Sequence, residues 1–364
     1  MWFKPQGLPY ARRTSILERL ESRPQIAPTS WSCYATVVPP SANPKHLRDN
    51  EFSRIAWLLG LFSSMPTPAQ VTLGIGDDAA IIKSGRESWV WTVDACVEGV
   101  HFDQRWLTAR DIGWRSFHAA ASDVAAMGAR PMAALCSLAL PKHLEPAAFR
   151  SIARGQALAA RSIGCAIVGG NMTRASELSI HTTLLGSTDR PLRRDGARVA
   201  DEIWLIGQVG AAATGLLVLQ AVPEKHQTPA QRWCVRQWRR PNALVAAGQT
   251  LRSVAHAAID ISDGLAADLG HLTAASHVRA VLDTVALDQA LGIRVHQAAL
   301  ELKREALDLA LFGGEDYALL ATGPARKRPK EAQVIGHIEK GRGVWLRTGT
   351  KTRRLSSLGF DHFR

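Results

Sequence analysis

The sequence predicts an α/β protein made of two successive α/β halves. Predicted strands and segments with helical spacing follow one another along most of the chain. This pattern occurs on both sides of a polar, basic stretch at residues 190–200, which indicates a domain boundary there. A length of 364 residues allows two domains of ordinary size. We therefore expect an N-terminal domain at residues 51–190 and a C-terminal domain at residues 191–364.

Residues 1–50 differ from the rest of the chain. They are rich in proline and show no sustained periodicity, which predicts a flexible extension or a misassigned start codon. Because the stretch is also rich in arginine and poor in acidic residues, a targeting peptide is the alternative interpretation.

The N-terminal half has the elements of a sheet with helices on it. Helices are predicted at residues 51–62, 111–127 and 146–163. Strands are predicted at residues 71–75, 79–82, 89–93, 133–140, 165–168 and 178–185.

The C-terminal half repeats the alternation. Helices are predicted at residues 211–221, 241–252 and 264–275. Strands are predicted at residues 202–206, 257–261, 319–322 and 334–338. Residues 223–240, rich in tryptophan and arginine, are predicted to be an amphipathic or loop insertion whose role the pattern does not indicate.

Composition narrows the class of protein. The net charge is +12, but the basic residues are scattered and match no nucleic-acid-binding motif, so we expect no nucleic-acid partner. No apolar run approaches the roughly 20 residues of a membrane helix, so we expect no membrane partner. The five cysteines include no CxxC pair, which is typical of a reduced, cytoplasmic protein without a disulfide framework or zinc site.

The residues that best indicate the chemistry of this protein are acidic residues at the ends of apolar strands or beside glycines. They occur in GIGDDAAII, WTVDACVEGVHF, AASDVAAMGA, IDISDGL and FGGEDYALL. Several partly desolvated carboxylates repel one another unless a cation compensates, and oxygen-only ligands favour Mg²⁺. Neighbouring glycines allow phosphate to approach the backbone. The set favours nucleotide phosphoryl transfer, whereas each acid taken alone is more typical of a turn or cap.

Three other nucleotide sites do not fit. Residues 74–79 match a loose dinucleotide fingerprint, but two aspartates would face the pyrophosphate and a strand follows instead of a helix. The chain contains no GxxxxGK[ST] loop and no HRD or DFG motif, so P-loop and protein-kinase sites are excluded.

Seven motifs in order resemble the thiamine-monophosphate kinase family, within the aminoimidazole ribonucleotide synthetase-like superfamily. They are GIGDDAA (74–80), DACVEGVHF (94–102), SDVAAMGARP (122–131), GGNMTR (169–174), DISDGL (260–265), GGEDY (313–317) and GFDHF (359–363). The resemblance runs from about residue 51 to the C-terminus. It implies the two-domain fold of that superfamily, a homodimer formed through the N-terminal domain, and a C-terminal domain that closes the site.

The resemblance also implies roles for individual residues. ATP would be the co-substrate and thiamine monophosphate the acceptor. The implied Mg²⁺ ligands are Asp78, Asp94, Asp123, Asp260 and Asp263. The implied nucleotide contacts are Thr92, Gly170, Asn171, Arg194 and Ser262. The implied acceptor contacts are His101, Glu315 and Phe360. No catalytic side chain is implied, because the acceptor phosphate is itself the nucleophile and its second pKa is about 6.

Three positions depart from the family pattern. Asn171 stands where the family usually has aspartate, and Val93 and Met172 stand where it tends to have threonine. Two alternatives to the thiamine reaction therefore stay open. One is an ATP-dependent enzyme with a different phosphate or carboxylate acceptor, and the other is a weakly catalytic ligand-binding homologue.

Overall fold

The structure is a computed structural model that describes residues 51–63 and 65–355. The extension predicted at residues 1–50 lies outside the described residues. The described residues contain two sheets, one in each half of the chain. The domain boundary expected near residue 190 stays a prediction, although the strands of the first sheet end at Thr188 and those of the second begin at Glu202.

The first half forms a six-stranded sheet in the order β1-β2-β3-β6-β4-β5. All neighbouring strands are antiparallel except the parallel pair β4 and β5. Its strands are β1 (Val71–Leu73), β2 (Ala80–Ser84), β3 (Glu87–Val97), β4 (Arg130–Pro141), β5 (Ala166–Ala175) and β6 (Ser179–Thr188). Its helices are α1 (Glu51–Phe62), α2 (Ala109–Ala126) and α3 (Pro146–Ser162).

The second half forms a seven-stranded sheet in the order β13-β12-β9-β11-β7-β10-β8. Its strands are β7 (Glu202–Ile206), β8 (Ala257–Ile261), β9 (Arg279–Asp283), β10 (Ala318–Gly323), β11 (Gln333–Glu339), β12 (Gly343–Thr348) and β13 (Lys351–Arg354). Its helices are α4 (Ala211–Ala221), α5 (Pro229–Arg239), α6 (Val245–Val254), α7 (Leu265–Ser276), α8 (Thr284–Ala290), α9 (Ile293–Glu301) and α10 (Ala306–Phe312).

Helix α2 is the element that brings the two halves to one site. Thr108 caps its start by accepting the Asp111 N–H. Its many small residues allow close packing: a Cβ on Gly113 would lie 2.0 Å from the Ile152 carbonyl oxygen of α3. The helix contacts β3 and β6 of the first sheet and β8 of the second. Its C-terminal turns, which carry Asp123, therefore lie between the two sheets.

Strand β3 shows why one face of the first sheet is buried and the other is not. Val90 and Thr92 alternate with Trp91 and Val93, and the first pair is buried while the second pair is exposed. The buried row lies on the side of α2, whose residues share a core with Val90. The opposite, exposed row is apolar.

Candidate metal and nucleotide site

Three carboxylates from distant parts of the chain converge beside α2. Asp78 lies just before β2, Asp123 in α2 and Asp260 in β8. One oxygen atom of each lies within 4.8 Å of the others. Among the described residues, Oδ2 of Asp78 is buried and has no hydrogen-bond partner. A buried oxygen without a donor, inside a group of carboxylates, fits a hard divalent cation such as Mg²⁺.

The protonation of these carboxylates reflects their crowding. Burial raises the pKa of Asp260 to about 7, and the neighbouring Asp78 carboxylate adds to that shift. Burial also raises the pKa of Asp123 well above its ordinary value, with the carboxylates of Asp260, Asp78 and Asp94 contributing. Like charges in low dielectric disfavour ionisation, and a bound cation would reverse that effect. The raised pKa values therefore indicate that the carboxylates lack sufficient positive charge around them.

Thr92 and Asp94 reach the same place from β3. The Thr92 hydroxyl donates to Oδ2 of Asp123 at 2.5 Å, which fixes the orientation of that carboxylate. Asp94 accepts the Ala95 N–H at 2.6 Å, and its charge contributes to the raised pKa values of Asp123 and Asp260. Asp94 thus lies close to the three clustered carboxylates.

The loop after β8 places Ser262 and Asp263 at the start of α7. Both backbone N–H groups donate to Oδ2 of buried Asp268, each at 3.1 Å. Asp263 is not one of the three carboxylates that cluster within 4.8 Å. Its backbone is fixed, but the structure does not bring its side chain into that cluster.

Arg194 is held against the carboxylates from the start of a 3₁₀ turn (Arg194–Gly196). Its Nη2 donates to Oδ1 of Asp78 at 2.6 Å. Its backbone N–H donates to Oδ2 of Asp77 at 3.1 Å, and its Nε lies 3.6 Å from Oδ1 of Asp77. These acids hold the pKa of Arg194 above its ordinary value in spite of burial. Arg194 is thus a fixed cation beside the acid cluster.

Gly170 and Asn171 lie on β5, at the edge of the first sheet. A Cβ on Gly170 would lie 1.9 Å from the Cys136 carbonyl oxygen, so only glycine fits this close approach. Asn171 is exposed and lies opposite Ser137, which lies opposite His181 of β6. Asp94 belongs to the adjacent row, with Thr182. Since adjacent rows point to opposite faces of a sheet, Asn171 and Asp94 differ in direction.

The three predicted acceptor contacts are placed differently. His101 accepts the Val97 N–H on its Nδ1 at 3.1 Å, which is a local structural contact at the end of β3. Glu315 is in a turn before β10, with a positive φ of 67°, and is bonded by the side chains of Arg115 and Trp238. Phe360 lies outside the described residues.

Several residues that act on the site do not appear among the predicted contacts. Asp77 holds the Arg194 backbone, Asp268 holds the loop after β8, and Arg115 and Trp238 hold Glu315. Two of them left a sequence signal: Asp77 precedes Asp78, and Arg115 interrupts an alanine-rich helix. The contacts of Asp268 and Trp238 depend on tertiary structure, and no spacing in the sequence indicates them.

Comparison with known proteins identifies the family. The AIR synthase related protein N-terminal domain matches residues 76–188. Thiamine-monophosphate kinase of Aquifex aeolicus is 32% identical over 291 residues, which cover 79% of this chain and 92% of that protein. The chain belongs to the thiamine-monophosphate kinase family. The motif resemblance is thereby confirmed.

Solved structures of the thiamine-monophosphate kinase family agree with this fold. A structure of AaThiL complexed with AMPPCP and TMP matches with a TM-score of 0.79 at 31% identity, covering 86% of this chain and 97% of that chain. Thiamine-monophosphate kinase from Stenotrophomonas maltophilia K279a matches with a TM-score of 0.66 at 34% identity, covering 81% and 94%. The predicted α/β fold class is confirmed. In the described part of the chain, no helix is long and apolar enough to cross a membrane.

Proposed function

We propose that this protein transfers the γ-phosphoryl group of ATP to thiamine monophosphate and forms thiamine diphosphate. The observation that carries the proposal is the convergence of Asp78, Asp123 and Asp260 within 4.8 Å, in a chain of the thiamine-monophosphate kinase family. Two polyanions must meet in this reaction, so the site must supply positive charge and alignment. A cluster of carboxylates supplies positive charge by binding cations.

Asp78, Asp123 and Asp260 would hold Mg²⁺, with Asp94 and Asp263 as the other proposed ligands. Bound Mg²⁺ would neutralise the phosphate oxygens of ATP and of the acceptor and favour in-line displacement. The Thr92 hydroxyl keeps the Asp123 carboxylate in one orientation, and Asp77 keeps Arg194 beside the cluster. These fixed groups reduce the reorganisation that ligand binding requires.

Arg194, Gly170 and Ser262 are the proposed nucleotide contacts, whereas Asn171 differs in direction from Asp94 and is not one of them. Arg194 is 21% exposed in its side chain and lies at the rim of the cluster, where its guanidinium can donate to phosphate oxygens. Gly170 packs its backbone closely against Cys136 of β4, so it would contact the nucleotide through backbone groups of β5.

The acceptor needs no strong general base. Its phosphate is largely ionised near neutral pH and attacks the γ-phosphorus directly, so the new P–O bond forms as the bond to the leaving ADP breaks and no proton transfer limits the step. His101, Glu315 and Phe360 would position the acceptor, and the thiazolium cation suits a carboxylate and an aromatic face. We place the reaction in the cytoplasm, in accord with the four free cysteines of the described residues.

Transfer of labelled phosphate from ATP tests the proposal. We expect thiamine monophosphate to be converted to thiamine diphosphate in the presence of Mg²⁺. A panel of other phosphate and carboxylate acceptors serves as the comparison. Turnover only with another acceptor would replace the proposed substrate, and thermal stabilisation by ligands without turnover would indicate a binding protein.

We also propose a homodimer that covers the exposed face of the first sheet. Val93, Thr183 and Leu135 lie directly opposite one another across β3, β6 and β4. Val93 is 63% exposed and Leu135 is 46% exposed, and Trp91 beside them is 50% exposed. An exposed face with several large apolar side chains is typical of an interface, and a second copy would bury it.

Sedimentation analysis tests the dimer. We expect the wild type to sediment as a dimer at micromolar concentration and Leu135→Lys to shift toward monomer, because a charge would be buried in the interface. Leu300→Lys, at a residue 77% exposed on α9, is the matched control and should remain dimeric. A monomeric wild type would contradict the proposal.

A further inference from the structure

The segment that follows α5 lies along one face of α2. Asp111, Trp114, Arg115 and His118 have the i, i+3, i+4, i+7 spacing of a single helix face. Each contacts residues 238–243: Arg240 donates to Asp111, Trp114 donates to the Pro241 carbonyl at 2.7 Å, Arg115 donates to the Trp238 carbonyl, and the Ala243 N–H donates to His118 at 3.0 Å. The Trp- and Arg-rich segment is therefore bound to the helix that carries Asp123.

The start and end of α5 explain how it delivers Trp238 to this place. Thr228 and Gln231 form a capping box, with Pro229 at the first helical position. Arg236 and Arg239 occupy the last turn, where basic side chains suit the helix dipole, and Pro241 follows the end. The sequence thus fixes where the helix stops, one residue after Trp238.

Glu315 is where this segment meets the acceptor site. Its Oε1 accepts from the Arg115 guanidinium, and its Oε2 accepts the Trp238 indole N–H at 2.7 Å. Arg115 also stacks on the Trp238 ring, with its guanidinium carbon 4.9 Å from the ring centroid. Trp238 is 2% exposed and the Arg115 side chain 1% exposed, whereas the Glu315 side chain keeps 29% of its surface. A fixed carboxylate with an accessible edge is the result.

We propose that Arg115 and Trp238 are positioning residues that hold the Glu315 carboxylate for the acceptor. The proposal rests on the proposed function, which assigns Glu315 to the acceptor subsite. The charge of Arg115 neutralises that of Glu315, so the pair exerts little long-range electrostatic attraction on the acceptor. The carboxylate would therefore recognise the acceptor through its orientation and its accessible edge. Orientation then determines acceptor affinity, and the indole N–H is one of the two groups that set it.

Trp238→Phe tests the claim, because it removes the indole N–H and keeps an aromatic ring. We expect the KM for the acceptor to rise about tenfold, a typical effect of a lost hydrogen bond to a charged group. The kcat and the KM for ATP should stay within about twofold. Glu315→Gln should have a similar effect, and the double variant should be little worse than either single variant, because both act through one carboxylate.

Trp204→Phe is the matched control. Trp204 is fully buried and donates its indole N–H to Oε2 of Glu202 at 2.8 Å. Glu202 pairs with Gly323, at the end of β10 away from Glu315. We expect this variant to lose stability like Trp238→Phe and to keep the acceptor KM of the wild type. An unchanged acceptor KM in Trp238→Phe, or an equal rise in Trp204→Phe, would overturn the proposal.

Failure of the proposed function is a separate outcome. If the wild type transfers phosphate only to another acceptor, the same KM comparison is made with that acceptor. If it transfers none, urea unfolding of the four variants decides. A loss of unfolding free energy in the Trp238→Phe/Glu315→Gln double variant that is smaller than the sum of the two single losses would support coupling. Fully additive shifts would overturn the positioning role.

Discussion

Two acidic sites of this protein differ in how their charge is compensated. At the first, Asp78, Asp123 and Asp260 lie together, and among the described residues the arginine hydrogen bond to them is that from Arg194 to one oxygen of Asp78. At the second, a single carboxylate, Glu315, receives a buried arginine and an indole N–H. The first group is crowded by like charges, and the pKa values of Asp123 and Asp260 rise, whereas the Glu315 carboxylate is paired with donors of the protein.

The difference distinguishes a site that can bind a cation from a carboxylate that the protein holds in one position. A buried charge is tolerated when its partners are fixed, and it then contributes to a single conformation. A group of buried carboxylates without enough donors raises the free energy of the metal-free protein, and a cation relieves that cost. The clustered carboxylates are therefore suited to binding an ion, and the Glu315 contacts are suited to holding a position.

The largest expected effect is at the crowded site. Asp123→Asn should reduce kcat by on the order of 10⁴-fold, about 5 kcal/mol of transition-state stabilisation, because a proposed metal ligand loses its charge. The metal-free protein should be as stable as the wild type or more so, since one repelling charge is gone. Steady-state kinetics and urea unfolding in EDTA measure the two effects.

Asp283→Asn is the matched control for that variant. Asp283 caps α8 by accepting the Ala286 N–H at 3.0 Å, and interaction with its donors lowers its pKa. This variant should lose a little stability and no kcat. If Asp123→Asn behaved like it, the two kinds of carboxylate would not differ in function.

At the Glu315 site, we expect the main effect on the free energy of unfolding. Arg115→Met keeps most of the side-chain volume but leaves Glu315 without its arginine, and it should reduce the free energy of unfolding by about 4 kcal/mol. Adding Glu315→Gln should recover part of that loss, because the side chain left without its arginine is then a neutral amide instead of a carboxylate. Urea unfolding of the single and double variants checks this. Equal stability of Arg115→Met and the wild type would show that the ion pair gives no support.

The smallest expected effect is a pH dependence on the supporting face of α2. Burial lowers the pKa of His118 to about 4, so the imidazole is neutral in the folded protein while its Nδ1 accepts the Ala243 N–H. The unfolded chain binds the proton below about pH 6.5, so folding stability falls as the pH drops from about 6.5 to about 4. The loss should reach up to about 3 kcal/mol.

His118→Asn isolates this effect. The amide oxygen can accept the same N–H without titrating. The variant should be less stable than the wild type at neutral pH, and the difference between them should shrink as the pH falls through that window. A difference that stays constant from pH 7 to pH 4 would exclude His118 as the titrating group.

The sequence predicted the elements that carry the crowded site and missed the support. Strands such as Glu202–Ile206 and Ala257–Ile261 appear with the expected bounds, because each is a short, nearly continuous apolar run followed by a glycine within a few residues. The helix expected at residues 111–127 is Ala109–Ala126. The clustering of Asp78, Asp123 and Asp260 was predicted because acidic residues lie near the ends of predicted elements or beside glycines. The family resemblance then indicated which of these acids would bind the metal.

The contacts that support the site were beyond prediction for a physical reason. Arg115 and Glu315 are 200 positions apart, and their pairing depends on how α2 packs against the turn before β10. The helix Pro229–Arg239 was expected only as an amphipathic or loop insertion, although its capping box was present in the sequence. Likewise, β5 extends from Ala166 to Ala175, beyond the expected end at residue 168. Its parallel pairing with β4 continues past Gly169 and Gly170.

The central claim is that the three clustered carboxylates bind Mg²⁺ together with ATP. Thermal unfolding with a non-hydrolysable ATP analogue, in Mg²⁺ and in EDTA, tests it without turnover. We predict that Mg²⁺ stabilises the wild type by about 2.7 kcal/mol at a hundredfold excess over its dissociation constant, and that Asp123→Asn loses most of this gain. An equal Mg²⁺-dependent shift in both proteins, or none in the wild type, would contradict the account.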